Sequence, residues 1–217
     1  MSYEFSFLFP FLLVMFAGQW ILQRMGKSLY GWRATSIIGI ISLLVCIAPV
    51  GGIPLARWLI SLNANFSIPL TVVLFVGVWE KAGGKVLFDR KTLSGFWLFG
   101  IVMGLLLYPM ALGLGWYDPY SLGWKFSLLF VVMMVLTIFL LLKRNPLGIV
   151  LMLCILAYHL RLLESPNFWD YLIDPFFVII SCTKNLFEKR FLDFQKLLII
   201  NLTRSFRRCR NPFSKGF

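Results

Sequence analysis

Four carboxylates stand where chemistry could be done: Asp118, Glu164, Asp170 and Asp174. They fall in two short stretches rich in polar and aromatic residues. One runs Gly115-Trp116-Tyr117-Asp118-Pro119-Tyr120, with Trp124 just beyond; the other runs from Glu164-Ser165-Pro166-Asn167-Phe168-Trp169-Asp170-Tyr171 to Asp174-Pro175. Asp170 and Asp174 are four residues apart, so a continuous helix would set them on one face. Joined by Asp118 and Glu164, they would make an oxygen-rich site suited to Mg²⁺ or Ca²⁺, with Asp170 and Asp174 as its metal ligands. Such a site could coordinate the pyrophosphate of a lipid-linked sugar or pass protons in a carrier.

The same residues have a plainer reading. Asp118-Pro119, Ser165-Pro166 and Asp174-Pro175 each fit a helix N-cap followed by proline at the first helical position, where its missing N–H costs nothing. Asp174 then starts a new helix at Pro175, and the shared face with Asp170 is lost. Trp116, Tyr117, Tyr120, Trp169 and Tyr171 read in turn as a membrane-interface belt or as a contact surface for a partner.

Little else in the chain has the make-up of a reactive centre. The four cysteines, Cys46, Cys154, Cys182 and Cys209, show no CxxC spacing, so no zinc site or disulfide is implied. The single histidine, His159, lies beside Arg161 and is too few for a His-based metal or haem cluster. Gly83-Gly84-Lys85 lacks the first glycine and the Ser or Thr of a phosphate-binding loop. No cofactor is implied.

What must position these residues is a set of long apolar blocks. The chain has 217 residues, of which 59% are hydrophobic and only 14% charged, against about 25% charged in soluble domains. Seven blocks approach the roughly 17 to 25 apolar residues that a membrane-spanning helix needs. They are Phe5 to Leu22, Thr35 to Val50, Leu62 to Trp79, Leu93 to Leu114, Trp124 to Leu142, Pro146 to Leu160 and Phe168 to Cys182. The third carries Asn63, Asn65 and Pro69 near its beginning. The last is short and contains two aspartates, so it reads as a tilted span or a re-entrant piece. Within the fourth, Gly100 and Gly104 form a GxxxG step suited to close helix packing, followed by Gly113 and Gly115.

Charge placement supports seven crossings. Of the 21 Lys and Arg residues, 18 fall in one alternating set of connecting segments and only Arg57, Lys125 and Arg161 in the other, which also holds five of the nine acids. Basic residues collect in cytoplasmic loops, which puts the N-terminus outside and the C-terminus in the cytoplasm. The formal net charge of +12 is therefore a record of orientation and not a sign of nucleic-acid binding. The first block lacks a basic leader and a small-residue cleavage site, so it is expected to stay as the first helix.

The expected fold is an all-α, polytopic membrane bundle over residues 1–183, with a basic tail over 184–217. In the tail, Phe187, Phe191, Phe194, Leu198 and Leu202 recur at three- and four-residue steps, an amphipathic pattern of the interfacial kind. Lys184, Lys189, Arg190, Lys196, Arg204, Arg207, Arg208 and Arg210 would lie against anionic lipids of the inner leaflet. A docked helix of a partner protein is the sharper alternative for that surface.

Functionally the chain reads first as a non-catalytic subunit or scaffold of a complex in the cell envelope, placed in a bacterial inner membrane. Its partners would be the lipid bilayer and other membrane subunits. The second reading is an enzyme or carrier for lipid-linked substrates using the four carboxylates, and the third a small transporter.

Overall fold

The computed structural model describes residues 5–26, 31–83 and 85–185, and what it describes is an all-α protein. Helix α1 covers Leu8–Arg24 and α2 covers Trp32–Ile47. A two-residue hairpin follows, Pro49–Val50 paired antiparallel with Ile53–Pro54. Gly51 and Gly52 turn it with φ of 63° and 83°, the left-handed pair that tight hairpins require. The short helix α3, Leu55–Leu62, packs back onto the hairpin, where the Trp58 indole donates to the Val50 carbonyl at 2.9 Å.

Helices α4 (Ile68–Gly83) and α5 (Arg90–Pro109) come next. Asp89 caps α5 by accepting from the Thr92 amide at 2.9 Å, and hydrogen bonding from the Thr92 side chain, then from its amide, holds the carboxyl below the usual range. The loop before it is folded back by Glu80, whose carboxylate accepts from the amides of Leu87 and Phe88. Helix α5 loosens into a π-helical turn, Met110–Leu114, which ends where Gly113 takes φ 83°. A 3-10 turn at Pro119–Gly123 then leads to α6 (Leu128–Leu142) and α7 (Pro146–His159). These two helices pack together across a tight connection, in which Asn145 caps α7 and Pro146 takes its first position.

The last block differs from the single segment expected. It forms α8, Phe168–Leu172, a break at 173–174, and then α9, helical over residues 175–185. The reason is Asp174-Pro175: proline lacks the N–H that would continue α8, and the aspartate caps the new helix instead. The third block is likewise interrupted, with α3 ending at Leu62 and α4 beginning at Ile68.

The core joins α4 to α9, with Phe96, Leu151, Phe168, Tyr171, Leu172 and Phe177 almost wholly buried. Phe130 stacks on Phe168 with ring centroids 4.4 Å apart, and the Tyr158 ring meets the Tyr171 ring edge-on at 5.4 Å. A smaller cluster of Met15, Ile38 and Val78 ties α1 and α2 to α4.

Gly100 and Gly104 mark the closest helix contact. A methyl at Gly104 would fall 2.7 Å from Val178, and one at Gly100 would collide with Ser181 and Phe177, so both glycines admit α9 against α5. The GxxxG step thus serves a neighbour within the chain. Gly113 does not continue that surface, because it lies at the end of the π turn.

By length and apolar composition, one described helix is able to cross a membrane: Arg90–Leu114, which is α5 with its π turn, 25 residues long. At 1.5 Å per residue it extends about 37 Å. Helices α1, α2, α6 and α7 are apolar but shorter, at 14 to 17 residues. The block Trp124 to Leu142 ran longer than α6 because Ser127 caps the helix, which begins only at Leu128.

Candidate functional site

Three loops meet at one end of the bundle: residues 63–67 before α4, residues 115–127 around the 3-10 turn, and residues 160–174 around α8. Side-chain hydrogen bonds join all three. Asn167 caps α8 by accepting from the Trp169 amide at 3.0 Å, while its own amide group donates to the Tyr120 carbonyl at 3.0 Å. The Trp169 indole donates to the Pro119 carbonyl at 2.8 Å. Asn65 reaches the third loop by accepting from the Ser165 amide at 3.1 Å. Gly123 is required here, since a side chain at that position would collide with Asn167 and Trp169.

The carboxylates take separate posts in this layer. Asp118 caps the 3-10 turn, accepting from the Tyr120 amide at 2.9 Å. Asp170 accepts from the Tyr120 hydroxyl, also at 2.9 Å. Burial and the neighbouring Asp170 charge push that hydroxyl up to about 12. Asp174 is 2% exposed and serves two helices at once. One of its oxygens accepts from the Phe177 amide at 2.9 Å, capping α9, and the other accepts from the Ser67 amide at 2.9 Å and the Ser67 hydroxyl at 2.5 Å at the start of α4. Three donors and two helix N-termini thus satisfy the carboxylate in the interior.

Asp170 and Asp174 do not share a helix face: the backbone breaks between them and Asp174 caps the following helix, the second of the two readings of Asp174-Pro175. They nevertheless line one cavity of about 320 Å³, together with Asn63, Asn65, Tyr108 and Tyr120. Asp118 and Glu164 do not line it. Glu164 instead faces a second hollow of about 480 Å³ with His159, Arg161 and Trp124. Among the described residues, no group of three or more His, Cys, Asp or Glu side chains comes together in a way that could hold a metal ion.

Two of the three expected Xaa-Pro caps form, at Asp118 and Asp174. The third shifts: the cap of α8 is Asn167, and Ser165 accepts from the Asn167 amide at 3.0 Å instead. The aromatic residues also divide. Trp116 is fully exposed and Tyr117 half-exposed, whereas Trp169 and Tyr171 are 3% and 1% exposed and form part of the core. A contact surface could therefore use the first pair and not the second. Trp169 is drawn inward by its bond to Pro119, and Tyr171 by hydroxyl contacts to the backbone of Leu163 and Ser165.

Sequence reasoning missed Ser67 and Tyr108 as members of this layer, and it placed Asn167 in the second polar stretch without giving it a role. Asn63 and Asn65 were visible only as polar interruptions of an apolar block. Of the tail, Lys184 falls at the end of the described part of α9; Lys189, Arg190, Lys196, Arg204, Arg207, Arg208 and Arg210 lie outside the described residues.

No protein-family model, curated protein or solved structure matches this chain.

Proposed function

We propose that this is a multi-pass membrane protein of seven spans, α1, α2, α4, α5, α6, α7 and α9, acting as a non-catalytic subunit or scaffold of an envelope complex. The observation that carries the reading is the exposed apolar surface. Ile37, Ile40, Ile41 and Leu44 on α2, Leu98, Val102 and Leu105 on α5, and Val132, Val135 and Leu142 on α6 all stand outward from the bundle. A soluble monomer seldom exposes a continuous apolar patch beyond a few hundred Å². Lipid or other apolar helices would cover these faces.

Successive spans run in opposite directions, which gathers Arg24, Arg33, Lys81, Lys85, Arg90, Lys91, Lys143 and Arg144 near one end and the four carboxylates near the other. The basic end is the cytoplasmic one in a bacterial inner membrane. Two of the four carboxylates, Asp118 and Asp174, act as caps, which favours a structural use of the outer layer.

The shared cavity of Asp170 and Asp174 favours a second reading, an enzyme or carrier for lipid-linked substrates. Alanine replacement separates the two. On the subunit reading, Asp170→Ala leaves cellular function intact and stable companions co-purify with the protein in mild detergent. Loss of function by a folded Asp170→Ala protein that purifies alone would favour the second reading.

A further inference from the structure

The cavity beside Asp170 has a chemical character that the capping contacts leave unused. Its volume of about 320 Å³ is that of roughly ten waters at about 30 Å³ each. By volume it can hold a monosaccharide-sized group. Its polar lining is Asn63, Asn65, Tyr108, Tyr120, Asp170 and Asp174, with Leu107 and Ile173 as apolar wall.

The hydrogen-bond inventory of that lining is mixed. The Asp170 oxygen Oδ2 accepts from Tyr120, which leaves Oδ1 to accept from a ligand. The oxygens of Asn63 and Asn65 accept from the Asn65 and Ser165 amides, so their NH₂ groups are the parts left to donate. Tyr108 adds a hydroxyl, and no hydrogen bond to another described residue occupies it. No Lys, Arg or His lines the cavity, and two carboxylates do.

That combination selects among ligand classes. A phosphate or carboxylate would face two carboxylates with no cation to offset them. An ammonium group would use the free Asp170 oxygen and leave the two amides and the Tyr108 hydroxyl with nothing to donate to. A hydroxyl both donates and accepts, so a group with several hydroxyls uses every free position.

We infer that the cavity between the outer end of α5, the 63–65 loop and the 170–175 segment binds an uncharged polyhydroxylated group, a sugar or polyol. The inference goes beyond the subunit role; its glycolipid arm rests on the membrane placement proposed above, and its free-sugar arm does not. Two sources could supply the group: a glycolipid headgroup in the outer leaflet, or a free sugar.

The test uses the full-length protein in nanodiscs of phosphatidylcholine doped with monoglucosyl diacylglycerol, diacylglycerol or phosphatidylglycerol, and native mass spectrometry reads the lipid retained. Free glucose is titrated in a parallel arm. Glucolipid retained over both other lipids, with retention falling about tenfold in Asp170→Asn and a few-fold in Tyr108→Phe, is the expected result. Glu164→Gln, in the other hollow, should retain as much as the unaltered protein. Saturable binding of glucose without glucolipid retention, lost in the same two variants, would support the site and assign it to a free sugar. Tyr108→Phe removes one hydroxyl and keeps the ring, so it reports even if Asp170→Asn unfolds; melting curves identify that case. Equal retention of all three lipids without glucose binding, preference for phosphatidylglycerol, or binding unchanged in Tyr108→Phe would overturn the inference.

Discussion

Removing the Asp174 carboxylate would leave the Ser67 amide, the Ser67 hydroxyl and the Phe177 amide, all on buried residues, without their acceptor. Loss of a helix cap costs about 1 kcal/mol, and each buried unpaired donor about 1–3 kcal/mol. Asp174→Ala should therefore destabilise the protein by about 3 kcal/mol or more, seen as a lower melting temperature in detergent. Asp174→Asn, which keeps one acceptor oxygen, should lose less. Tyr120 adds a pH dependence of defined sign. Its hydroxyl is held at about 12, against about 10 in an unfolded chain. Between these values the unfolded chain has lost the proton that the folded chain keeps, so stability falls as pH rises from about 10 to about 12 and is fully present below that window. Melting curves across this range should show the fall, and Tyr120→Phe should make it shallower. At this scale sequence reasoning went halfway: a carboxylate followed by proline announces a cap, and Asp118 and Asp174 are caps. That Asp174 also holds Ser67 depends on a contact 107 residues away in the chain, which no local pattern encodes.

Between elements, the contact most sensitive to side-chain size is α5 against α9. A side chain at Gly104 meets Val178 at once, whereas one at Gly95 on the same helix meets nothing within 4 Å. Gly104→Val should force the helices apart and cost about 1–3 kcal/mol, the usual range for overpacking. Gly95→Ala should be neutral or stabilise by up to about 1 kcal/mol, since alanine favours the helix. Thermal unfolding of the two variants side by side checks the contrast. The GxxxG step was readable in the sequence, but its partner was not, because spacing marks a close approach without saying which helix makes it. The boundaries of α4, α8 and α9 were harder still: apolar content runs on through residues such as Ile173, where the backbone has already left the helix.

For the molecule as a whole, the all-α class follows from the long apolar blocks and is what the structure has. The order of the helices also follows the blocks, with α3 and α8 as short additions where polar residues interrupt an apolar run. The cavity beside Asp170 could not be read from the chain, since its lining comes from four separate stretches, around Asn63, Tyr108, Tyr120 and Asp170. The proposed arrangement in the membrane makes a direct claim about which residues face which compartment. The measurement that tests it is labelling of single cysteines, in a background with the four native cysteines replaced by alanine, using an impermeant maleimide on intact cells. Trp116→Cys should label without permeabilisation, because Trp116 is fully exposed and the proposed arrangement puts its loop outside. Lys143→Cys, in the turn between α6 and α7, should label only once the membrane is opened. Labelling of Lys143→Cys in intact cells with Trp116→Cys protected, or equal labelling of both, would contradict the account.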